Sequence, residues 1–310
     1  MTVHLDDAAV RRLLVLEELM PALRRALIEL SAGRAVQPLR TVMELPSERS
    51  LLFVKPALTG EALAVKLITQ VPANAARGLP TMLATLVLMD PRTGGTLAVM
   101  DATWLTALRT AAVSAVGADA LTSRKPKIVG ILGSGALART HALALCAVRA
   151  VSEIRVWSRD PRNVAACARD IGGLEAGSAE EAVRGADIVC TVTNASQPVL
   201  QGAWLKPGSF VAAVGAVRPT WRELDDAAMR NVVVVDSREA AQHESGDVIE
   251  SGAAVYAEIG EILAGTRPPP AAGSIVIFKA LGQAVADAVA ARLVYERFRQ
   301  RPGRASRRRP

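Results

Sequence analysis

From residue 127 onward, short runs of apolar residues alternate with longer stretches in which apolar residues recur every three or four positions. The short runs have the length of buried β-strands, and the longer stretches have the period of amphipathic helices. Strands and helices that alternate in this way form parallel sheets with right-handed crossovers. The continuous apolar run 232–235 is typical of a strand that is buried on both faces. The predicted strands are 128–132, 154–157, 188–193, 210–215 and 232–236.

The first third of the chain has a different pattern. Two helices are predicted there, at 8–16 and 16–32, and Gly33 ends the second. Between residues 37 and 115, short β-prone runs are separated by turn signals, which predicts an α+β domain with a mostly antiparallel sheet. A last helix, 282–298, is expected to pack back on this domain. The predicted strands of the domain are 39–43, 51–54, 62–69, 81–89 and 96–101, and a helix over 104–121 follows them.

A glycine-rich turn joins the strand at 128–132 to the helical stretch 139–148. Its pattern is G-x-G-x-x-A, formed by Gly133, Gly135 and Ala138. The first glycine permits a sharp turn, the second lets the backbone approach a pyrophosphate, and the alanine lets the helix pack closely on the strand. The helix N-terminus offers free N–H groups and a partial positive charge to the phosphates. The sequence therefore predicts a dinucleotide site whose contacts include Gly133, Ser134, Gly135, Ala136 and Leu137.

The residues after the second strand of this region bear on which dinucleotide is bound. An NAD enzyme has a carboxylate about 20 residues beyond the glycines, where it binds the ribose 2′-hydroxyl. This chain has Ser158 and Arg159 there, and a guanidinium suits a 2′-phosphate. We therefore expect NADP(H) as the preferred cofactor, with NAD(H) as the alternative because Asp160 is adjacent. Thr193 and Asn194 lie at the carboxyl end of the predicted strand 188–193, where an open sheet contacts its ligand.

Composition argues against several classes of protein. Half of the residues are hydrophobic but only 3% are aromatic, so the core is expected to consist mainly of Ala, Val and Leu. No apolar run reaches the ~18 residues of a membrane span, and the N-terminus has acids where a signal peptide has lysines. The three cysteines have neither disulfide-type nor metal-type spacing. We therefore expect a cytoplasmic protein without a bound metal.

The net charge of +7 is concentrated at the C-terminus. Residues 297–310 include seven arginines and no acid, so the rest of the chain is neutral overall. Such a cluster is typical of a solvated tail. We therefore expect residues 299–310 to be a disordered basic tail, with neither nucleic acid nor a membrane as partner.

Seven short stretches are distinctive: 37–41, 66–69, 105–112, 133–138, 218–219, 221–226 and 244–247. In these stretches the chain resembles the ornithine cyclodeaminase/mu-crystallin family. The resemblance extends over nearly the whole length short of the tail, and it is greatest to the mu-crystallin branch, whose members look like NAD(P)H-dependent ketimine reductases. It implies a Rossmann domain joined to a dimerising substrate domain, and therefore a homodimer.

The two patterns and the resemblance together predict an α/β fold. A Rossmann-type doubly wound parallel sheet would be inserted in an α+β substrate-binding and dimerisation domain. The first part of the substrate domain is expected over 1–118 and the Rossmann domain over 119–269. Residues 270–298 are expected to return to the substrate domain.

Three cations of the first domain are candidate substrate ligands: Arg40, Lys66 and Arg109. Taken singly, each is more often a surface cation or a member of an ion pair. The resemblance implies that they hold the substrate carboxylate, with Lys66 and Arg109 as catalytic residues; an Arg offers a two-pronged grip and a Lys a point charge. It also implies that Lys279 lies near the nicotinamide. Lys55 stands where relatives usually have an apolar residue, and it either reshapes the substrate pocket or is a surface change.

The main departure from the family is Val217, which we include among the cofactor contacts. In cyclodeaminases the matching position carries an aspartate that is thought to act as acid and base. A valine cannot transfer protons, although Glu223 or Asp225 is a candidate substitute. Ornithine cyclisation needs managed proton transfer, whereas a cyclic iminium already accepts hydride from a nicotinamide.

The sequence therefore predicts an NADPH-preferring reductase of small cyclic ketimine carboxylates that acts by hydride transfer to C2 of the iminium. The expected reactions convert Δ1-pyrroline-2-carboxylate to proline and Δ1-piperideine-2-carboxylate to pipecolate, and so belong to proline and pipecolate metabolism. The alternatives are an ornithine or lysine cyclodeaminase with bound NAD, a dehydrogenase of alanine or of N-substituted amino acids, and a non-catalytic mu-crystallin-like binding protein.

Overall fold

A computed structural model describes residues 2–47, 49–125 and 127–300 of the chain. These residues divide into two compact units, one with the chain up to Arg109 and from Ala284 onward, the other Thr110–Gln283. Sequence analysis placed the corresponding boundaries at 118/119 and 269/270. Of the predicted disordered tail 299–310, residues 299–300 are instead helical, because the last helix continues to Gln300, and residues 301–310 lie outside the described residues. No helix in the described part of the chain is both long and apolar enough to cross a bilayer.

Strands and helices are numbered in chain order. The strands are β1 Val3–Leu5, β2 Thr41–Glu44, β3 Leu51–Leu58, β4 Leu63–Gln70, β5 Met82–Met89, β6 Thr96–Asp101, β7 Lys127–Leu132, β8 Val151–Trp157, β9 Leu174–Glu175, β10 Ile188–Thr191, β11 Phe210–Ala213, β12 Val232–Val235, β13 Val255–Glu258 and β14 Val276–Lys279. The α-helices are α1 Asp7–Leu13, α2 Leu16–Ser31, α3 Thr103–Leu121, α4 Ala136–Val148, α5 Pro161–Ile171, α6 Ala179–Val183, α7 Asp226–Met229, α8 Arg238–Glu244, α9 Gly246–Ser251, α10 Ile259–Ala264 and α11 Ala284–Gln300.

The first unit is built on a six-stranded sheet of order β1-β6-β5-β4-β3-β2. β1 pairs in parallel with β6, and the other neighbours are antiparallel. Helix α11 packs on β3 and β4, and α2 packs on α11. Burial in β3 alternates along the strand, as expected for a sheet with one face against helices. The core of this unit therefore lies between one face of the sheet and α11.

Strand β3 is longer than the sequence predicted, and the difference matters for the site. The predicted strand ended at Val54, two residues before Pro56, which has no N–H for a sheet ladder. In the structure β2 pairs only with residues 51–54 of β3, whereas β4 pairs with β3 along its whole length. Beyond residue 54, β3 therefore has a strand on one side only. Pro56 is tolerated at this partial edge. The extension places Lys55 in register with Lys66.

The second unit contains an eight-stranded parallel sheet of order β13-β12-β14-β11-β10-β7-β8-β9. The predicted doubly wound α/β fold is confirmed. From β7, the chain adds β8 and β9 on one side and then returns to add β10 and β11 on the other. The strand order therefore reverses between β7 and β10, and ligands of such sheets bind beyond the carboxyl ends of the strands at this reversal.

One central strand was not identified from the sequence. β14 lies between β11 and β12, although sequence analysis placed residues 270–298 in the segment that returns to the substrate domain. Its apolar run is short and follows a proline-rich stretch, so it carries no helical or alternating period. Lys279 therefore ends a buried strand of the parallel sheet.

Candidate functional site

A buried carboxylate on α11 draws together two of the predicted substrate-binding cations. Lys66 Nζ on β4 donates a hydrogen bond to Asp287 Oδ1 at 2.5 Å, and Arg109 Nε on α3 donates to the same oxygen at 2.6 Å. Lys66 Nζ also lies 3.2 Å from Thr106 Oγ1. No more than 3% of the surface of Lys66, Arg109 or Asp287 is exposed. The structure therefore brings Lys66 and Arg109 into one buried ion cluster centred on Asp287.

Two further cations belong to this cluster. Lys55 lies directly opposite Lys66 in the β3–β4 pairing and is also buried. Arg40 is half-buried just before β2. Burial, followed by repulsion from Arg40 and Lys66, holds the pKa of Lys55 well below its usual value. We define the cationic cluster as Arg40, Lys55, Lys66, Arg109 and Asp287.

The cluster shifts the titration of its own members. Burial, followed by repulsion from Arg109, lowers the pKa of Lys66 to about 7 against the attraction of Asp287. Burial alone would raise the pKa of Asp287, but Arg109 and Lys66 hold it below its usual value. Asp287 is therefore ionised at neutral pH, whereas Lys66 is divided between ammonium and amine. Lys66 is able to hold or release a proton near neutral pH.

This pKa predicts how the affinity for an anion depends on pH. A carboxylate favours the protonated form of Lys66, so binding above pH 7 requires the uptake of a proton. Affinity should be highest below pH 7 and should fall by up to about tenfold per pH unit above it. Pyrrole-2-carboxylate is a suitable probe for calorimetry because it does not titrate near neutral pH. In Lys66→Met, pyrrole-2-carboxylate should bind more weakly, and its affinity should depend less steeply on pH. An equally steep dependence on pH would assign the titration to another group.

In the ion pair of Arg109 and Asp287, two buried atoms have no hydrogen-bond partner among the described residues. They are Arg109 Nη1, a donor, and Asp287 Oδ2, an acceptor. A buried polar group left unpaired costs about 1–3 kcal/mol, and more when it is charged, so such groups are normally satisfied by a ligand or by water. A ligand with both an anionic oxygen and an N–H group would satisfy both atoms.

The glycine turn after β7 fits a dinucleotide pyrophosphate. Gly133 has a φ of +124°, which favours glycine, and a Cβ there would lie 2.8 Å from the carbonyl oxygen of Val192. A Cβ at Gly135 would meet no atom within 4 Å, so space beside the turn is open at that point. Gly135 is the N-cap of α4, and no side chain caps this helix. The first N–H groups of α4 are therefore suited to phosphate oxygens.

The end of β8 is braced against the glycine turn. Ser134 Oγ and Ser158 Oγ are 2.8 Å apart, within hydrogen-bond distance. The next residue, Arg159, is exposed. Asp160 is the N-cap of α5, and its carboxylate accepts hydrogen bonds from the backbone N–H of Arg162 at 3.0 Å and from its guanidinium at 3.1 Å. Asp160, the acid that follows Ser158 and Arg159 in the sequence, is therefore already paired.

Lys279 is completely buried at the end of β14. Its Nζ donates to Asp247 Oδ2 at 2.9 Å and to the carbonyl oxygen of Gly215. Asp247 Oδ1 in turn accepts from the backbone N–H groups of Glu223 and Leu224. Lys279 thus ties the carboxyl ends of β14 and β11 to the segments that carry Asp247 and Glu223.

Glu223 fixes the end of β10 from inside the unit. Its carboxylate accepts from Thr193 Oγ1 at 2.6 Å, from the Thr193 N–H at 2.7 Å and from Thr191 Oγ1 at 2.8 Å. Burial raises the pKa of Glu223, partly opposed by Lys279 and Thr193. A Cβ at Gly215 would lie 2.4 Å from the carboxyl group of Glu223, so only glycine fits there. Glu223 is therefore a buried acid with a structural role.

Asn194 and Val217 follow the carboxyl ends of β10 and β11. Asn194 is exposed, and Val217 is half-buried beside Ala216, whose φ of +48° is unusual for a residue other than glycine. Asp225 caps α7 by accepting the Ala228 N–H at 2.8 Å. Since Asp225 and Glu223 are both engaged in structural hydrogen bonds, neither is well placed to substitute for an aspartate at position 217.

Sequence reasoning missed Asp287 and left Lys55 undecided. Asp287 is the acid in the run Ala-Val-Ala-Asp-Ala-Val-Ala-Ala at the start of α11, and a lone acid in such a run is a signal for a buried partner. Lys55 shares its face of β3 with the buried residues Leu51, Phe53 and Ala57. The alternative of a surface change at Lys55 is therefore wrong.

Comparison with known proteins agrees with this architecture. The chain is 43% identical over 286 residues to "Ketimine reductase mu-crystallin" of Mus musculus, a match that covers 90% of this chain and 91% of the relative. Among solved structures, Thermococcus litoralis Δ(1)-pyrroline-2-carboxylate reductase in complex with NADH and L-proline superposes with a TM-score of 0.90 at 35% identity. That match covers 96% of this chain and 97% of the other.

A second solved structure is an archaeal alanine dehydrogenase dimer with bound NAD. It has a TM-score of 0.89 at 31% identity and covers 96% of this chain and 95% of its own. The family model "Ornithine cyclodeaminase/mu-crystallin family" matches residues 2–301. With a match over nearly its entire length, the chain belongs to the ornithine cyclodeaminase/mu-crystallin family.

Proposed function

We propose that this protein reduces cyclic ketimine carboxylates with a nicotinamide cofactor. The substrates we propose are Δ1-pyrroline-2-carboxylate, which gives proline, and Δ1-piperideine-2-carboxylate, which gives pipecolate. The observation that carries the proposal is the pair of unsatisfied buried atoms in the cationic cluster, Arg109 Nη1 and Asp287 Oδ2. The ketimine and pyrroline-carboxylate reductases among its relatives support the same class of reaction.

The cationic cluster matches the groups of a protonated cyclic imine acid. Arg109 Nη1 donates to the substrate carboxylate, and the charges of Lys66 and Arg40 stabilise the bound anion. The ring N–H⁺ donates to Asp287 Oδ2. An uncharged imine lacks the carboxylate and is disfavoured, so the cluster both orients the substrate and selects for it.

Reduction of the imine requires a hydride donor, a protonated imine nitrogen and a proton for the product amine. A reduced nicotinamide, when bound, supplies the hydride for C2 of the iminium, and the C=N electron pair passes to nitrogen. Asp287 favours the protonated imine because its charge stabilises the N–H⁺ group. Lys66, with a pKa near 7, then supplies the proton that the product amine takes up. Arg109 and Lys66 are accordingly the residues to which we assign catalytic roles.

The cofactor is proposed to bind at the carboxyl ends of the parallel strands. Contacts with the pyrophosphate come from residues 133–137, and contacts with the adenosine ribose from Ser158 and Arg159. We assign the remaining contacts to residues at the ends of β10, β11 and β14: Thr193, Asn194, Val217 and Lys279.

NADPH is proposed as the preferred cofactor because Arg159 is exposed beside Ser158 while Asp160 is paired with Arg162. In Arg159→Ala, KM for NADPH should rise about tenfold or more, as expected for loss of one charge-assisted contact, while KM for NADH changes little. Steady-state kinetics with both cofactors measures this. The matched control is Arg169→Ala on the same helix–strand unit, and an equal rise for NADH and NADPH in Arg159→Ala would remove the residue from phosphate recognition.

We propose that two copies of the chain form a homodimer through the outer face of the sheet in the first unit. Met43, Leu67 and Leu83 on β2, β4 and β5 are each more than one-third exposed, and exposed apolar faces of this kind mark interaction surfaces. In Leu67→Glu, the dimer should dissociate to a monomer at micromolar concentration, which sedimentation measures. Leu174→Glu, which changes a leucine of the second unit that is more exposed than Leu67, should leave the oligomeric state unchanged; a persisting dimer in Leu67→Glu would place the interface elsewhere.

The function is tested by following NADPH and NADH absorbance with each cyclic imine. Reduction of either imine, with no ammonia released from ornithine, is the expected outcome, because Val217 offers no proton-transferring group. Ammonia release without imine reduction would indicate a cyclodeaminase. Oxidation of the cofactor only with pyruvate and ammonia or an amine would indicate an amino acid dehydrogenase.

A further inference from the structure

Arg139, the residue that follows the G-x-G-x-x-A pattern, connects the glycine turn to helix α5. Its Nε donates to Asp170 Oδ2 at 2.7 Å, and its Nη2 lies 2.7 Å from the same oxygen. Its Nη1 donates to the carbonyl oxygen of Ser134 at 2.8 Å and to that of Gly135 at 3.3 Å. All three nitrogens of the guanidinium therefore have an acceptor, and two of the acceptors belong to the turn.

The ion pair with Asp170 does not by itself explain this arrangement. The side chains of Arg139 and Asp170 are both more than one-third exposed, and ion pairs at such positions contribute little to stability. The pair does hold the planar guanidinium in one orientation, because two of its nitrogens contact one carboxylate oxygen. Its effect is therefore to keep the third nitrogen on the carbonyl groups of the turn.

The bonds to these carbonyl groups determine where the next N–H groups point. In a trans peptide the C=O and the N–H point in opposite directions. Since the carbonyl oxygens of Ser134 and Gly135 face Arg139, the N–H groups of Gly135 and Ala136 face away from it. A hydrogen bond to a carbonyl also polarises its peptide and strengthens the N–H as a donor. Glycine has the most backbone freedom to lose, so an external brace matters at Gly135.

We propose that Arg139 is a positioning residue for the cofactor pyrophosphate. It acts through the turn, by holding the N–H groups of Gly135 and Ala136 in the orientation that the phosphate oxygens require. The inference rests on the proposed cofactor site and not on the identity of the imine. Because NADH and NADPH share the pyrophosphate, loss of Arg139 affects both equally, in contrast to loss of Arg159.

The test is equilibrium binding to the full-length protein, measured by calorimetry with two probes. ADP-ribose contains the pyrophosphate, whereas adenosine 2′-monophosphate lacks it. Arg139→Met should weaken binding of ADP-ribose about tenfold and leave that of adenosine 2′-monophosphate unchanged. Arg139→Lys keeps the charge but cannot contact Asp170 and the turn with one planar group, so its affinity for ADP-ribose should be intermediate.

Asp170→Ala distinguishes positioning from simple attraction by charge. This variant keeps the positive charge of Arg139 and removes its anchor on α5. Positioning predicts weaker binding of ADP-ribose, because the guanidinium is no longer held against the turn. Attraction by charge predicts tighter binding, because a nearby acid is gone. Tighter or unchanged binding in Asp170→Ala overturns the proposal.

The matched control is Arg155→Met in the same unit. Arg155 also pairs with an acid, Glu153, and its Nη1 also donates to two backbone carbonyls, but these belong to Glu181 and Arg184 rather than to the turn. Its affinity for ADP-ribose should equal that of wild type. Urea unfolding verifies that each variant is folded under the binding conditions.

Two results with Arg139→Met overturn the positioning role. One is an affinity for ADP-ribose within about twofold of wild type, and the other is an equal loss for both probes. Turnover of Δ1-pyrroline-2-carboxylate, measured in parallel, separates this inference from the proposed reductase. If binding of ADP-ribose depends on Arg139 but no imine is reduced, the positioning role stands and the reductase is overturned. If wild type reduces the imine but Arg139→Met binds ADP-ribose normally, the reductase stands and the positioning role is overturned. A wild type that binds no ADP-ribose overturns the cofactor site and the role of Arg139 together.

Discussion

Replacing Arg109 with alanine is expected to lower kcat/KM for Δ1-pyrroline-2-carboxylate by about a thousandfold, with most of the loss in KM. Arg109 Nη1 is a buried donor without a hydrogen-bond partner among the residues that the structure describes, and Nε donates to Asp287 Oδ1. The substitution therefore removes a charge-assisted bond to the substrate and releases the carboxylate that receives the imine N–H⁺. Steady-state kinetics with a saturating cofactor measures the effect.

Two variants control this prediction. Arg109→Lys keeps a positive charge but not the planar guanidinium. Compared with Arg109→Ala, it should restore stability more fully than it restores the KM of wild type. Arg92→Ala removes an exposed arginine of the same unit and should leave the kinetics unchanged. Kinetics of Arg109→Ala within threefold of wild type would exclude Arg109 from the substrate site.

Replacing Asp287 with asparagine is expected to destabilise the protein by about 3–5 kcal/mol, the usual cost of leaving buried charges without their partner. The side chain keeps its shape, but Lys66 and Arg109 lose the carboxylate that both contact. The pKa of Lys66 should fall further, because the attraction that opposes its burial is gone. Urea unfolding measures the loss, which should be smaller at higher pH, where Lys66 is neutral.

A double-mutant cycle tests whether the loss comes from the ion cluster. Lys66→Met combined with Asp287→Asn should be less destabilising than the sum of the single changes, since fewer buried charges remain unpaired. Asp90→Asn, in an exposed turn, serves as the surface control. Additive effects in the cycle, or a loss below 1 kcal/mol in Asp287→Asn, would contradict a charge-based role.

The dinucleotide half of the site was accessible from the sequence because its determinants are local. Gly133, Gly135 and the flanking strand and helix lie within one short segment, so spacing alone predicts the turn that the structure contains. Arg40, Lys66 and Arg109 required the family resemblance, because a single cation beside a strand does not identify a ligand.

The centre of the cationic cluster was not accessible in this way. Asp287 meets Lys66 across 221 positions of sequence, and no local pattern encodes such a contact. Lys55 was missed for a different reason. The alternation of buried and less buried residues along β3 continues past Pro56, and a proline is tolerated there because β2 pairs only with the first half of β3. β14 was missed because a short apolar run before a lysine has no distinguishing period.

The most direct test of the reductase assignment is the fate of the cofactor hydride. NADPH carrying deuterium at C4, prepared separately on each face of the ring, is incubated with Δ1-pyrroline-2-carboxylate, and the product is examined by mass spectrometry and NMR. The proposed function predicts that one of the two labelled forms of NADPH gives proline with one deuterium at C2. Absence of labelled proline with both cofactors would contradict it.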